Sequence, residues 1–148
     1  MGIRCACGLI IPNLTSINQV PLFFLETPDI DALGSVTVDI DACNNDLQGS
    51  FVTINFLQTS PETPDLSFTF NSVQINSVTC TTDVGVCFIQ ITGSGQVEGE
   101  TETRQFQFLV EQQEGQPSRI FSFSIVLFAS TGSIFFPQDE VTTFGCPQ

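Results

Sequence analysis

The stretch Ser35-Val36-Thr37-Val38-Asp39-Ile40-Asp41 alternates apolar and polar residues without a slip. Val36, Val38 and Ile40 fall on one side; Thr37, Asp39 and Asp41 fall on the other. Successive side chains of an extended chain point to opposite faces, so this is the period of a half-buried strand. A helix would need apolar residues three and four apart, and no stretch of the chain sustains that spacing.

The same period recurs outward from this segment. Residues 51–58 place Val52, Ile54 and Phe56 on one face, while Phe51 and Leu57 make the other partly apolar. Leu66, Phe68 and Phe70 alternate with Ser67, Thr69 and Asn71, and Val73, Ile75 and Val78 lead to Cys80. Residues 81–85 read as a turn, residues 86–92 as the returning strand, and Gly93-Ser94-Gly95 as a break. Further strands are expected over 105–112, 120–129 (the longest), 134–136 and 141–144. Towards the N-terminus, residues 20–25 form the first strand. Loops are marked at 44–49, by Pro61 and Pro64, and at 114–117. Glu98, Glu100 and Glu102 alternate along a solvent-facing edge or loop, where charge discourages unwanted pairing.

Eight to ten short strands with regular turns predict an all-β chain, a β-sandwich of jelly-roll type. Residues 20–148 are the expected sandwich domain. Residues 1–19, with Pro12 and a polar run behind it, are the expected flexible N-terminal connector arm. The apolar residues Leu9, Ile10 and Ile11 on that arm call for burial, as do the second faces of the longest strands, which implies contact with a neighbour.

At 148 residues the chain is long enough for one domain with a sizeable core. Hydrophobic residues make up 41% and include 15 Phe, which excludes simple disorder. The formal charge of −13, with three Arg and no Lys, repels nucleic acid and anionic membrane surfaces, so neither is an expected partner. The absence of His removes the commonest catalytic base and metal ligand, and no enzyme activity or cofactor is expected. No secretory signal is legible, and no apolar run reaches the roughly 20 residues of a membrane helix. Asp29, Asp31, Asp39 and Asp41 are oxygen donors of the kind calcium takes, but they complete no loop motif and Asp39 and Asp41 read first as a solvated strand face. Met1-Gly2 ahead of Cys5 resembles a dual-acylation start with Ala6 where Ser or Thr is wanted, and Asn13-Leu14-Thr15 matches a glycosylation acceptor.

Six cysteines suit a disulfide framework. Cys5 and Cys7 sit one residue apart, too close to bond each other without strain, since the bridge wants Cα atoms about 5.5 Å apart. Their natural partners are Cys43 and Cys146, on the same subunit or another. Cys80 and Cys87 flank one expected hairpin turn and are candidates for an intrachain bond; otherwise they are buried thiols. A lone Cys-x-Cys without His makes a weak metal site.

This layout resembles the small cysteine-bearing subunits of spore-surface fibres, the endospore appendages of Gram-positive spore formers. Cys5 and Cys7 match the thiols of their N-terminal connector, and Gly34–Cys43 also looks like a segment of β-rich, Cys-containing clostridial proteins. Two details differ: the thiols are not adjacent, and the tail Phe144-Gly145-Cys146-Pro147-Gln148 has no terminal Tyr. The resemblance implies a jelly-roll subunit that polymerises with copies of itself. Its connector would be cross-linked by intersubunit disulfides from Cys5 and Cys7, with Cys43 and Cys146 as receivers. It also implies an extracellular or spore-surface location reached without a signal peptide. The alternative is a discrete carbohydrate- or calcium-binding β-sandwich module with intrachain disulfides.

Overall fold

A computed structural model describes residues 5–24, 31–59, 66–113, 116, 118–126, 128–137 and 140–145. These form strands and connections, with no helix among the described residues. The strands are β1 (Gly8–Thr15), β2 (Val20–Phe24), β3 (Asp31–Cys43), β4 (Phe51–Gln58), β5 (Phe68–Asp83), β6 (Val86–Val97), β7 (Arg104–Gln113), β8 (Arg119–Ile125), β9 (Ala129–Thr131), β10 (Ile134–Phe135) and β11 (Thr142–Phe144). The chain is all-β, as its period of two requires.

All pairings are antiparallel and belong to one sheet, in the order β11-β1-β3-β2-β9-β8-β7-β6-β5-β4. β3 also pairs with β4, so the path from β3 through β2, β9, β8, β7, β6, β5 and β4 returns to β3. Closure of this kind removes strand edges along most of the circuit. β3 can serve three neighbours because it is long: Gly34–Asp41 faces β4, while its other edge is shared by β2 near Asp31 and β1 near Cys43. From β4 to β9 the strands follow one another as a meander, and the order does not by itself mark a jelly roll.

The interior is lined by the predicted faces. Val36, Val38 and Ile40 are buried, as are Val52, Ile54 and Phe56. Phenylalanines fill the middle: the rings of Phe108 and Phe123 stack at 4.3 Å, and Phe70 meets Phe106 edge-on at 5.3 Å. Such pairs add roughly 0.5–1.5 kcal/mol beyond the area they bury.

Three expectations are corrected here. Residues 8–15 are not a free arm. They are strand β1, with Leu9 and Ile11 fully buried and pairing on both sides, to β3 and β11. Pro12 does not exclude a strand, because the ladder slips between Ile11 and Leu14. Asn13 takes a left-handed φ of 52° in that bulge, which absorbs the missing amide of Pro12.

Gly93-Ser94-Gly95 does not break β6, which runs on to Val97. A Cβ at Gly93 would lie 2.9 Å from the Phe106 ring, and one at Gly95 would lie 2.5 Å from the Phe70 ring. The glycines leave room for neighbouring aromatics to cover the backbone, a device that keeps strand glycines paired. The 120–129 segment divides into β8 and β9, with a turn closed by Phe128 N–H donating to the Ile125 carbonyl. A slip opposite Leu109/Val110 leaves one extra residue between Ile120 and Ser122, which is why Ile120, Phe123 and Ile125 can all be buried.

Candidate functional site: the disulfide-braced leader

The short leader ahead of β1 is held by its own domain. Cys5 bonds Cys43 with Cα atoms 5.6 Å apart, and Cys7 bonds Cys80 with Cα atoms 6.0 Å apart. Both are intrachain bonds. The first ties the leader to the end of β3. The second joins the residue just before β1 to β5, and β1 and β5 are not neighbours in the strand order. The loops they close span 38 and 73 residues. Loop-closure entropy in the unfolded chain assigns each about 4 kcal/mol on its own, though the two loops overlap and share part of that.

The turn after β3 completes the grip. The Cys7 amide donates to Asn44 Oδ1 at 3.0 Å, the Ala6 amide donates to Asn45 Oδ1 at 3.0 Å, and the Asn44 amide donates to the Cys7 carbonyl at 2.9 Å. Asp46 shapes the turn: its carboxylate accepts from the Gly49 amide at 3.0 Å, and its own amide donates to the Cys43 carbonyl. These are the local side-chain-to-backbone bonds that Asn and Asp favour in turns. Gly8 is required where leader and strand meet, since a Cβ there would stand 2.3 Å from the Ala42 carbonyl and 2.5 Å from Cys5 Sγ.

The proposed Cys80–Cys87 bond is not formed. The hairpin turns at Val84 and Gly85, both with positive φ, and pairs Asp83 with Val86. Cys80 then faces Ile89 and Cys87 faces Thr82, one diagonal step out of register for bonding. Cys80 takes Cys7 instead. Cys87 is buried and disulfide-bonded, and none of the described cysteines is a free thiol. Cys146 lies outside the described residues.

Beside Cys5–Cys43 is a cavity of about 460 Å³ lined by both cysteines, Ile10, Ala42, Phe144, Asp41 and Asp46. Cys5 and Cys43 are half-buried, whereas Cys7 is 8% exposed. Of the proposed calcium donors, Asp39 and Asp41 project from the outer side of β3, Asp29 lies outside the described residues, and Asp31 opens β3. Among the described residues no group of three or more His, Cys, Asp or Glu side chains is placed to hold a metal ion.

A second feature lies on β5. Its pairing with β4 stops after Asn71, and Ser72 Oγ accepts from the Val52 amide at that point. From Val73 to Asp83 the edge of β5 away from β6 has no strand beside it among the described residues. Val73 is 65% exposed. No charge appears on this edge before Asp83.

The leader clamp at Asn44, Asn45 and Asp46 was legible only as a loop; the signal for its role is three turn-forming residues directly after a cysteine. Comparison with protein-family models, with curated proteins and with solved structures yields no match to this chain.

Proposed function

We propose that this chain is a structural subunit that assembles with copies of itself outside the cell or on a spore surface. The observation that carries the reading is the edge of β5 from Val73 to Asp83, which has no strand beside it among the described residues. An unpaired strand edge offers a row of backbone donors and acceptors to another chain. Natural sheets blunt such edges with Lys, Pro, inward charge or bulges. This one has bulges near its start, between Ser72 and Gln74 and between Ile75 and Ser77, but no Lys, Pro or charge before Asp83. Exposed apolar residues elsewhere on the sheet favour the same use: Leu33 on β3 and Leu57 on β4 lie one diagonal step apart, with half-buried Pro21 of β2 paired to Leu33. A contact between two different surfaces of one chain closes into a ring where its rotation closes and propagates as a filament where it does not; the filament is the outcome proposed here.

Disulfides in this reading brace each copy first. A covalent link between copies then forms when a small thiol opens Cys5–Cys43, the more exposed of the two bonds described above, as a mixed disulfide, and the Cys5 thiolate released attacks the Cys5–Cys43 bond of the next copy, while Cys7–Cys80 keeps the leader in place. The alternative of a discrete binding module rests on the cavity beside Cys5–Cys43. It predicts a single small particle and a ligand-dependent shift in melting.

Light scattering and negative-stain microscopy of purified protein provide the test. Self-assembly predicts extended particles. Val73→Lys together with Asn76→Lys on the β5 edge reduces them to monomers, while Val84→Lys at the hairpin tip leaves them intact. A monodisperse monomer at every protein concentration overturns the assembly reading. Detergent gels with and without reductant then address the cross-link separately: a monomer band in both lanes removes covalent linkage without touching edge pairing.

A further inference from the structure

We propose that the Cys5–Cys43 disulfide is a thiol-exchange site selective for thiols that carry a positive charge beside the sulfur. Its two sulfurs line a cavity of about 460 Å³, so an incoming sulfur has room to approach. The apolar part of that cavity is Ile10, Ala42 and Phe144, and its charged part is Asp41 and Asp46. Asp41 is two residues before Cys43 on β3, hence on the same face and about 7 Å along the strand. Asp46 stands in the turn that bonds back to the Cys43 carbonyl. Two carboxylates beside one sulfur repel an anionic thiolate reagent and attract an ammonium group. Over such distances the interaction is large enough to change rates when salt is low.

The same charges choose the sulfur attacked. Exchange begins when a thiolate attacks one sulfur of the bond and expels the other as a thiolate. Negative charge developing on Cys43 is opposed by Asp41 and Asp46, so Cys5 is the better leaving group. The incoming sulfur bonds Cys43 Sγ, the Cys5–Cys43 bond breaks, and the Cys5 thiolate takes a proton from water. One disulfide is consumed and one is formed, so no external oxidant is needed. The fold survives because Asn44, Asn45 and the Cys7–Cys80 bond still hold the leader. This site is independent of whether copies assemble.

The test compares cysteamine, 2-mercaptoethanol and 2-mercaptoethanesulfonate on the intact protein, at equal thiolate concentration and low salt. Rates are normalised to those on hydroxyethyl disulfide, which removes intrinsic nucleophilicity. Quenching by alkylation and peptide mass mapping locates the adduct. The expected order is cation, neutral, anion, with about tenfold or more between the extremes. The spread collapses at 1 M salt, where the screening length is about 3 Å. It narrows in Asp41→Asn with Asp46→Asn, and the cysteamine adduct maps to Cys43. Equal normalised rates for cation and anion at low salt overturn the proposal, as does an adduct on Cys5 or a spread that salt leaves unchanged. The salt series on the unaltered protein decides the matter even where the double variant folds poorly.

Discussion

At the scale of single residues, Gly8 is among the tightest points of the described residues. Its α-carbon faces the Ala42 carbonyl and Cys5 Sγ so closely that even a methyl group has no room. Gly8→Ala must push the leader off β3. The expected cost is about 1–3 kcal/mol from overpacking, with Cys5 and Cys43 appearing as free thiols in a fraction of molecules. Alkylation under denaturing conditions before and after reduction measures that fraction; a fully oxidised, equally stable variant would contradict the geometry. Thr131 poses the opposite case. Its Oγ1 is buried without a hydrogen-bond partner among the described residues, in a strand flanked by Leu22 and Phe123. Thr131→Val removes an unpaired hydroxyl and keeps the shape. It is expected to stabilise the fold by about 1 kcal/mol, read as a rise of roughly 2–4 °C in Tm. A lower Tm would mean that the hydroxyl is paired after all.

Single elements show how much the chain discloses in advance. The alternating face of β3 and the bounds of β4 were legible because each strand presents one consistent apolar face to one core. The faults lie where a bulge or a glycine changes the phase. Pro12 and the polar residues behind it read as a flexible arm, but Pro12 and Asn13 form a bulge inside β1. Gly93 and Gly95 looked like a break but admit the rings of Phe106 and Phe70, which lie distant in sequence. Cys43 was an expected partner for Cys5 and is the one observed, within the same chain; the Cys80–Cys87 pairing failed for a related reason. Cys80–Cys87 needs a turn centred one residue earlier than the Val84-Gly85 turn observed, and Cys7–Cys80 joins the residue before β1 to a strand that is not its neighbour in the sheet. That hairpin carries its own prediction. Val84 has a φ of 47° and is 94% exposed, an unfavourable conformation for a β-branched residue that packs against little. With Gly85 it occupies the two central positions of a turn that favours Asn-Gly. Val84→Asn should stabilise the protein by about 1 kcal/mol in denaturant unfolding and leave the m-value unchanged. A loss of stability would show that the turn is of another type.

For the whole molecule, charge and edge pairing oppose each other. The formal charge is −13. Two of the three Arg are engaged locally: Arg104 pairs with Glu100 and Glu102 at 2.9 and 3.0 Å, and Arg119 pairs with Glu111 at 2.9 Å. Copies of the chain therefore repel at long range, while strand addition at the β5 edge is a short-range, hydrogen-bonded contact between largely neutral residues. Salt separates the two. Raising ionic strength from 0.01 M to 0.15 M shortens the screening length from about 30 Å to about 8 Å. That suppresses the repulsion and leaves the backbone pairing nearly untouched. Assembly followed by light scattering should accelerate by about an order of magnitude over that range and then level off. Lowering the pH towards the sequence pI of about 4.1 should act in the same direction by removing charge. If assembly instead weakens with salt, ion pairs and not the β5 edge hold the copies together, and the Val73→Lys and Asn76→Lys variants would then leave the particles extended.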